Sequence, residues 1–268
     1  MKRREFIAGV GGLLLYPRLA RGQQLLLPTI GFLCAASAES YAPFVNGFRA
    51  GLKETGFVAS NNVGVEYRWA DGNYDRLSGL AADLVSPNVS VLVATGGLQS
   101  SLAAKRATAT IPIVFTLGSD PVKFGVVSSL NRPDANITGV TLLAYLLDAK
   151  RVELIHELVP NATAVALLAN PNSPAQADAQ FVEVAAASRK LGQQCFLVSA
   201  STDEEIDLAV ASVAARRGSV LLVSADPFFL SRRDRLASLT ARYAIPSIYE
   251  MASTCGGGRP NELWHRSP

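Results

Sequence analysis

The chain has 268 residues, 49% hydrophobic and 18% charged, enough to bury one large core or two of ordinary domain size, roughly 100 to 150 residues each. Its formal charge is +3, but residues 1–22 supply +4 of it through Lys2, Arg3, Arg4, Arg18 and Arg21 against Glu5, so the remainder carries −1. A near-neutral body gives no electrostatic footprint for nucleic acid, so no nucleic-acid partner is expected.

In chain order, the first segment reads as an export signal. Basic Lys2-Arg3-Arg4 precede an apolar run over residues 6–16 and the small-residue stretch Ala20-Arg21-Gly22, which places cleavage near residue 22. The alternative is a buried N-terminal helix. The run is shorter than the about 20 residues that a spanning helix needs, and the cleavage region has no cysteine for a lipid anchor. Arg3-Arg4-Glu5-Phe6-Ile7 resembles the twin-arginine export motif, whose pathway carries folded cargo. A periplasmic location is expected.

Beyond the signal the chain contains one unit twice. Val91-Leu92-Val93-Ala94-Thr95-Gly96-Gly97, a helix-permitting stretch and Ile111-Pro112-Ile113-Val114-Phe115 form the first copy. Val220-Leu221-Leu222-Val223-Ser224-Ala225-Asp226, a helix expected over residues 227–242 and Ile245-Pro246-Ser247-Ile248-Tyr249 form the second. Upstream, the apolar run at residues 29–35 corresponds to that at 164–169. Each precedes a helix closed by a basic residue and a glycine, Lys53 with Gly56 and Lys190 with Gly192, a pair that suits the negative, left-handed end of a helix. Second strands follow at residues 63–70 and 194–200. Two β-α-β-α-β-α-β halves predict an α/β protein with two Rossmann-like lobes, their parallel sheets flanked by helices. The lobes are expected at residues 23–142 and 143–252, with an irregular tail over 253–268.

Catalytic and metal motifs are missing. Cys34, Cys195 and Cys255 are far apart, and the first two read as small buried side chains rather than a disulfide. His156 and His265 are isolated, and no zinc spacing exists. Neither a phosphate loop nor a Gly-x-Ser-x-Gly elbow occurs. No enzyme, cofactor or metal is expected.

The distinctive chemistry lies at the strand ends, where parallel sheets bind ligands and helix N-termini offer free N–H groups. Those ends carry Ala35-Ala36-Ser37, Thr95-Gly96-Gly97, Ser119-Asp120-Pro121, Asn170-Pro171, Asp226-Pro227 and Tyr249-Glu250. Hydroxyls and amides suit a carboxylate and an Asp suits an ammonium group, so an amino-acid-like ligand fits. Each also has a local reading. Asp120-Pro121 and Asp226-Pro227 make good helix starts, Gly96 and Gly97 a turn, residues 170–174 a turn and cap, and Tyr41, Phe228 and Tyr249 packing.

These residues resemble the type I periplasmic solute-binding proteins of ABC transporters, in the subgroup linked to amino acids. The resemblance covers the chain to about residue 252. It rests on the signal, on Ser119-Asp120-Pro121-Val122, Ser129-Leu130-Asn131-Arg132-Pro133 and Asn136-Ile137-Thr138-Gly139-Val140-Thr141. In the second half it rests on Ala169-Asn170-Pro171-Asn172, Ala225-Asp226-Pro227-Phe228-Phe229 with Arg232-Arg233, and residues 244–250. It implies a small ligand in an interlobe cleft, closure about a hinge, and delivery by a monomer to a membrane permease. Candidate contacts are Ser37, Tyr41, Thr95, Gly96, Ser119 and Asp120 from the first lobe, and Asn170, Asp226 and Tyr249 from the second. An effector-sensing regulator uses the same lobes, but it would carry a DNA-binding segment where this chain has an export signal.

The sequence departs from the family twice. Asp134-Ala135 stands where the family has glycines, and the family continues back into the first lobe beyond Tyr249. From about Gly258 the residues lose both helix and strand periodicity. Their codons, read one nucleotide later, can spell the family's Gly-Leu-Met-Ser-Tyr-Gly, so a frameshifted remnant with impaired function is expected.

Export through the twin-arginine route makes a prediction: Arg3→Lys with Arg4→Lys should leave the protein in the cytoplasm. Fractionation that finds the variant exported as well as the parent would favour general secretion.

Overall fold

A strand that is apolar without alternation has two faces to cover, and β1 (Thr29–Cys34) is buried from Ile30 onward. In the computed structural model, which describes residues 27–249 except 88, 134, 135 and 143, it lies second in a parallel sheet. Its companions are β2 (Gly64–Trp69), β3 (Val91–Thr95), β4 (Ile113–Leu117) and β5 (Ile137–Thr141), in the order β2-β1-β3-β4-β5. The connections run through α1 (Ala38–Glu54), α2 (Leu77–Val85) and α3 (Leu98–Ala107). One face packs Leu33, Leu92, Ile113 and Phe115 against Leu77 and Leu84 of α2 and Ala104 of α3. The other packs Phe32 and Cys34 against Val45 of α1. That second cover stops short of the far edge, where β4 exposes Val114 and Thr116 and β5 exposes Val140.

The second half repeats the plan. It consists of α4 (Asp148–Leu158), β6 (Ala164–Ala169), α5 (Pro174–Lys190), β7 (Gln194–Ser199), α6 (Asp203–Ala215), β8 (Ser219–Val223), α7 (Pro227–Ser231), α8 (Arg233–Arg242) and β9 (Ser247–Ile248). Its sheet is again parallel, in the order β7-β6-β8-β9, with β6 and β8 wholly buried. Val152 of α4 and Val184 of α5 cover one face, and Ile206 of α6 with Leu236 of α8 the other. The expected helix stops are present: Gly56 (φ +86°) and Gly192 (φ +73°) take the left-handed conformation just past α1 and α5.

The structure differs from the expected elements in four places. The single helix expected over residues 227–242 is two, broken at Arg232 (φ −117°), whose guanidinium lies 4.1 Å over the Phe228 ring and bonds Asp203 at 2.8 Å. β5 is an added strand that the mixed polar, apolar and glycine run did not signal. The final strand is only two residues long. No helix follows Asp120-Pro121; Asp120 Oδ1 instead accepts the N–H groups of Val122 (2.8 Å) and Lys123 (3.0 Å) in a turn. The export segment, residues 250–268 with Cys255 and His265, and Asp134-Ala135 lie outside the described residues.

A buried ion pair ties α4 to its sheet. Arg151 Nη1 donates to Asp148 Oδ1 at 2.9 Å, and Nη2 donates to the Val223 carbonyl at 2.6 Å. Gln180 adds a donor to Asp148 Oδ1 at 3.0 Å, yet burial outweighs these partners and raises the Asp148 pKa, and among the described residues Asp148 Oδ2 and Arg151 Nε have no partner. Arg151→Met should therefore leave a buried charge and lower stability by about 3–5 kcal/mol. Urea unfolding of Arg151→Met and of the Asp148→Asn/Arg151→Met double variant checks this, the double variant recovering part of the loss.

Candidate functional site

In an open parallel sheet the helices leave to opposite faces where the strand order reverses, and a crevice opens beyond the strand ends. The reversal falls between β1 and β3 in the first sheet and between β6 and β8 in the second. The first crevice is bordered by Ala35-Ala36-Ser37 and Thr95-Gly96-Gly97, the second by Asn170 and Ser224-Ala225-Asp226. The two crevices face each other. Gly96 (φ +76°) has no room for a side chain, since a Cβ would lie 2.6 Å from Cys34 Sγ and 3.0 Å from the Ala35 nitrogen. A Cβ on Gly97 (φ +123°) would meet Pro227 of the opposite lobe at 3.1 Å.

Asp226 is the centre of the second crevice. As N-cap of α7 it accepts from the Phe228 N–H at 2.9 Å, and Asn170 Nδ2 donates to the same oxygen, Oδ1, at 3.0 Å. The third donor comes from the first lobe: the Tyr74 hydroxyl reaches Oδ1 at 2.5 Å. Burial pushes the Asp226 carboxyl up from its ordinary pKa. Burial, and then the adjacent Asp226 charge, push the Tyr74 phenol well up.

The first crevice is built from hydroxyls. Tyr41 Oη and Thr95 Oγ1 are 2.5 Å apart, Thr95 Oγ1 and Thr116 Oγ1 are 2.6 Å apart, and the Gly96 N–H donates to Tyr41 Oη at 3.2 Å. Ser37 caps α1 by accepting the Ser40 N–H at 3.3 Å, while its own N–H donates to Ser231 Oγ of the other lobe at 3.3 Å. The thiol of Cys34, behind these groups, is pushed up by burial to about 12 and stays protonated.

Of the residues singled out in the sequence, Ser37, Thr95, Gly96, Asn170 and Asp226 border the facing crevices, with Tyr41 bonded to Thr95 and Gly96. Ser119 and Asp120 stand past the end of β4, further along the edge; among the described residues the buried Ser119 hydroxyl has no partner. Tyr249 packs on the apolar cluster beneath α8, its hydroxyl 3.2 Å from Thr240 Oγ1. The candidate contacts read from the sequence leave out Tyr74, Gln99, Ser173, Ser231 and Arg232, which meet across the gap. Gln99 Nε2 donates to Ser173 Oγ at 3.1 Å, and Arg232 Nη1 to the Asp71 carbonyl at 3.3 Å. The small and polar run Ala70-Asp71-Gly72-Asn73 after β2 was the available signal for Tyr74, of the same kind as the other strand ends.

Between the lobes, Tyr74, Gly96, Gly97, Gln99, Ser173 and Asp226 line a gap with room for about one water, so an amino-acid-sized molecule requires the lobes to part.

The sequence matches the family model of ABC transporter substrate binding proteins over residues 29–257. It is 26% identical over 212 residues to a tyrosine-binding protein of Clostridioides difficile (strain R20291), a match over 79% of this chain and 60% of that relative's length. A conserved domain protein from Vibrio cholerae superposes with a TM-score of 0.76 at 25% identity, over 83% of this chain and 74% of that one. An ABC domain from Streptococcus pneumonia in complex with L-Trp superposes at 0.73 with 21% identity, over 84% and 74%. Among the described residues no helix is long and apolar enough to cross a membrane.

The environment of Asp226 carries a pH signature. Burial lifts its folded-state pKa above the unfolded value of about 3.9. Its contribution to stability is then fully present below that value and is lost as pH rises through the folded-state pKa. Asp226→Asn keeps the cap oxygen and removes the titration, so its stability relative to the parent should improve from about pH 3.5 towards neutrality. Urea unfolding at stepped pH checks it, and a pH-independent difference would contradict it.

Proposed function

The chain belongs to the family of ABC transporter substrate-binding proteins, and on that premise we propose that it is the solute-binding component of an ABC uptake transporter, capturing a small amino-acid-like ligand between its lobes. One observation carries the reading: the strand-order reversals of two parallel sheets face each other across a buried carboxylate. One side offers hydroxyls and backbone N–H groups, the other an acidic group, which is the complement of a zwitterion. The ligand's carboxylate is placed near Ser37 and Thr95-Gly96 and its ammonium on Asp226, with Asp120 as the other candidate. Among the relatives, the name of the tyrosine-binding protein supports an amino acid.

In this reading the lobes occupy residues 23–142 and 143–252, and the protein works as a periplasmic monomer without a cofactor. Closure is a population shift, stabilised only by contacts that the ligand makes with both lobes at once. The closed form is the one presented to the membrane permease.

A thermal-shift screen over amino acids and related small acids should find a stabilising ligand. For that ligand, replacing the aspartate that holds the ammonium should cost a charge-assisted bond, about 1.5–3 kcal/mol of affinity. Calorimetric titration in which Asp226→Asn and Asp120→Asn both bind like the parent would exclude the proposed placement.

A further inference from the structure

Resting on that placement, we propose that Tyr74 is an internal competitor for the ligand's position on Asp226: its phenol latches the lobes together and has to leave before a ligand can enter. Three donors meet Asp226 Oδ1, and they differ in which lobe carries them. Asn170 and the Phe228 N–H belong to the same lobe as Asp226 and stay with it when the lobes part. Tyr74 is the one of the three that departs, and it vacates a donor's position of the kind an ammonium group fills.

The geometry around it is that of a closed latch. Tyr74 opens a short 3₁₀ turn (Tyr74–Arg76) capped by Asn73, whose Oδ1 accepts the Asp75 N–H at 3.2 Å, so its backbone is held beside the gap. A Cβ on Gly72 would lie 3.0 Å from Arg232 Nη1 and 3.1 Å from Phe228 Cδ2, so the two lobes already touch there. The remaining space beside Tyr74 has room for about one water, too little for any amino acid. The other bonds across the gap are weaker. Ser37 N–H to Ser231 Oγ (3.3 Å), Ser40 Oγ to Ser231 Oγ (3.2 Å) and Gln99 to Ser173 (3.1 Å) join neutral groups, and the Arg232 bond to the Asp71 carbonyl (3.3 Å) is exposed. A bond to a carboxylate is roughly twice as strong as a neutral one, so the Tyr74 contact dominates the set. A protein latched shut shows an apparent affinity reduced by the fraction that is open.

Solution scattering of the ligand-free full chain tests the latch directly. Tyr74→Phe should increase the radius of gyration and Gln99→Ala should leave it unchanged. An unchanged radius for Tyr74→Phe, or equal expansion in both variants, overturns the proposal. Titration with L-tyrosine gives a second reading: Tyr74→Phe should bind about tenfold tighter as the open fraction rises, and weaker binding, the mark of a direct ligand contact, overturns it. Absence of L-tyrosine binding to parent and variant alike would count against that ligand, while scattering would still decide the latch.

Discussion

The Asp226 carboxyl is taken out of water at the end of β8, and its neighbours have to replace the hydration it loses. A buried charge without partners costs several kcal/mol, and each of those neighbours, or a group that takes its place, offsets part of it. They come from three directions: the first turn of α7 through the Phe228 N–H, the end of β6 through Asn170, and the opposite lobe through Tyr74. One oxygen atom thereby caps a helix, ties two central strands together and joins two sheets. The helix-cap and ligand-contact readings of Asp226 are compatible, because the cap uses only part of what a carboxylate can accept.

The duplication explains why the groups that face each other are unlike. Each half repeats the same strand order around largely buried central strands, so each exposes its crevice at the same topological point. The residues placed there have diverged. The first lobe brings glycines and a hydroxyl relay through Tyr41, Thr95 and Thr116. The second brings an amide and a carboxylate. Small residues on the first side, Ala35, Ala36, Gly96 and Gly97, let the backbones approach; both glycines take a positive φ, and their lack of a Cβ leaves room for Cys34 and Pro227.

Much of the fold was legible because it is encoded locally. Unbroken apolar runs at β1, β3, β6 and β8 declare strands covered on both faces, and Lys53 with Gly56 and Lys190 with Gly192 declare helix ends. The strand ends also announced Thr95, Asn170 and Asp226 as chemically distinct. β5 escaped because Ile137–Thr141 lacks a clear apolar period, and it becomes a strand only by pairing with β4. The break at Arg232 escaped because its reasons, Phe228 beneath the guanidinium and Asp203 beside it, are set by the packing of α6 against α8.

The sequence by itself determined two similar α/β halves and the polar character of their strand ends. The tertiary structure alone decided which of those ends meet. Tyr249, a strand-end residue by its position, is half-buried against the apolar cluster beneath α8. Tyr74, in a turn with no periodicity to mark it, reaches across 152 residues of sequence to Asp226. Periodicity reports the face a residue turns to its own sheet; a contact between sheets depends on how two separately folded lobes come together, and no local pattern carries that.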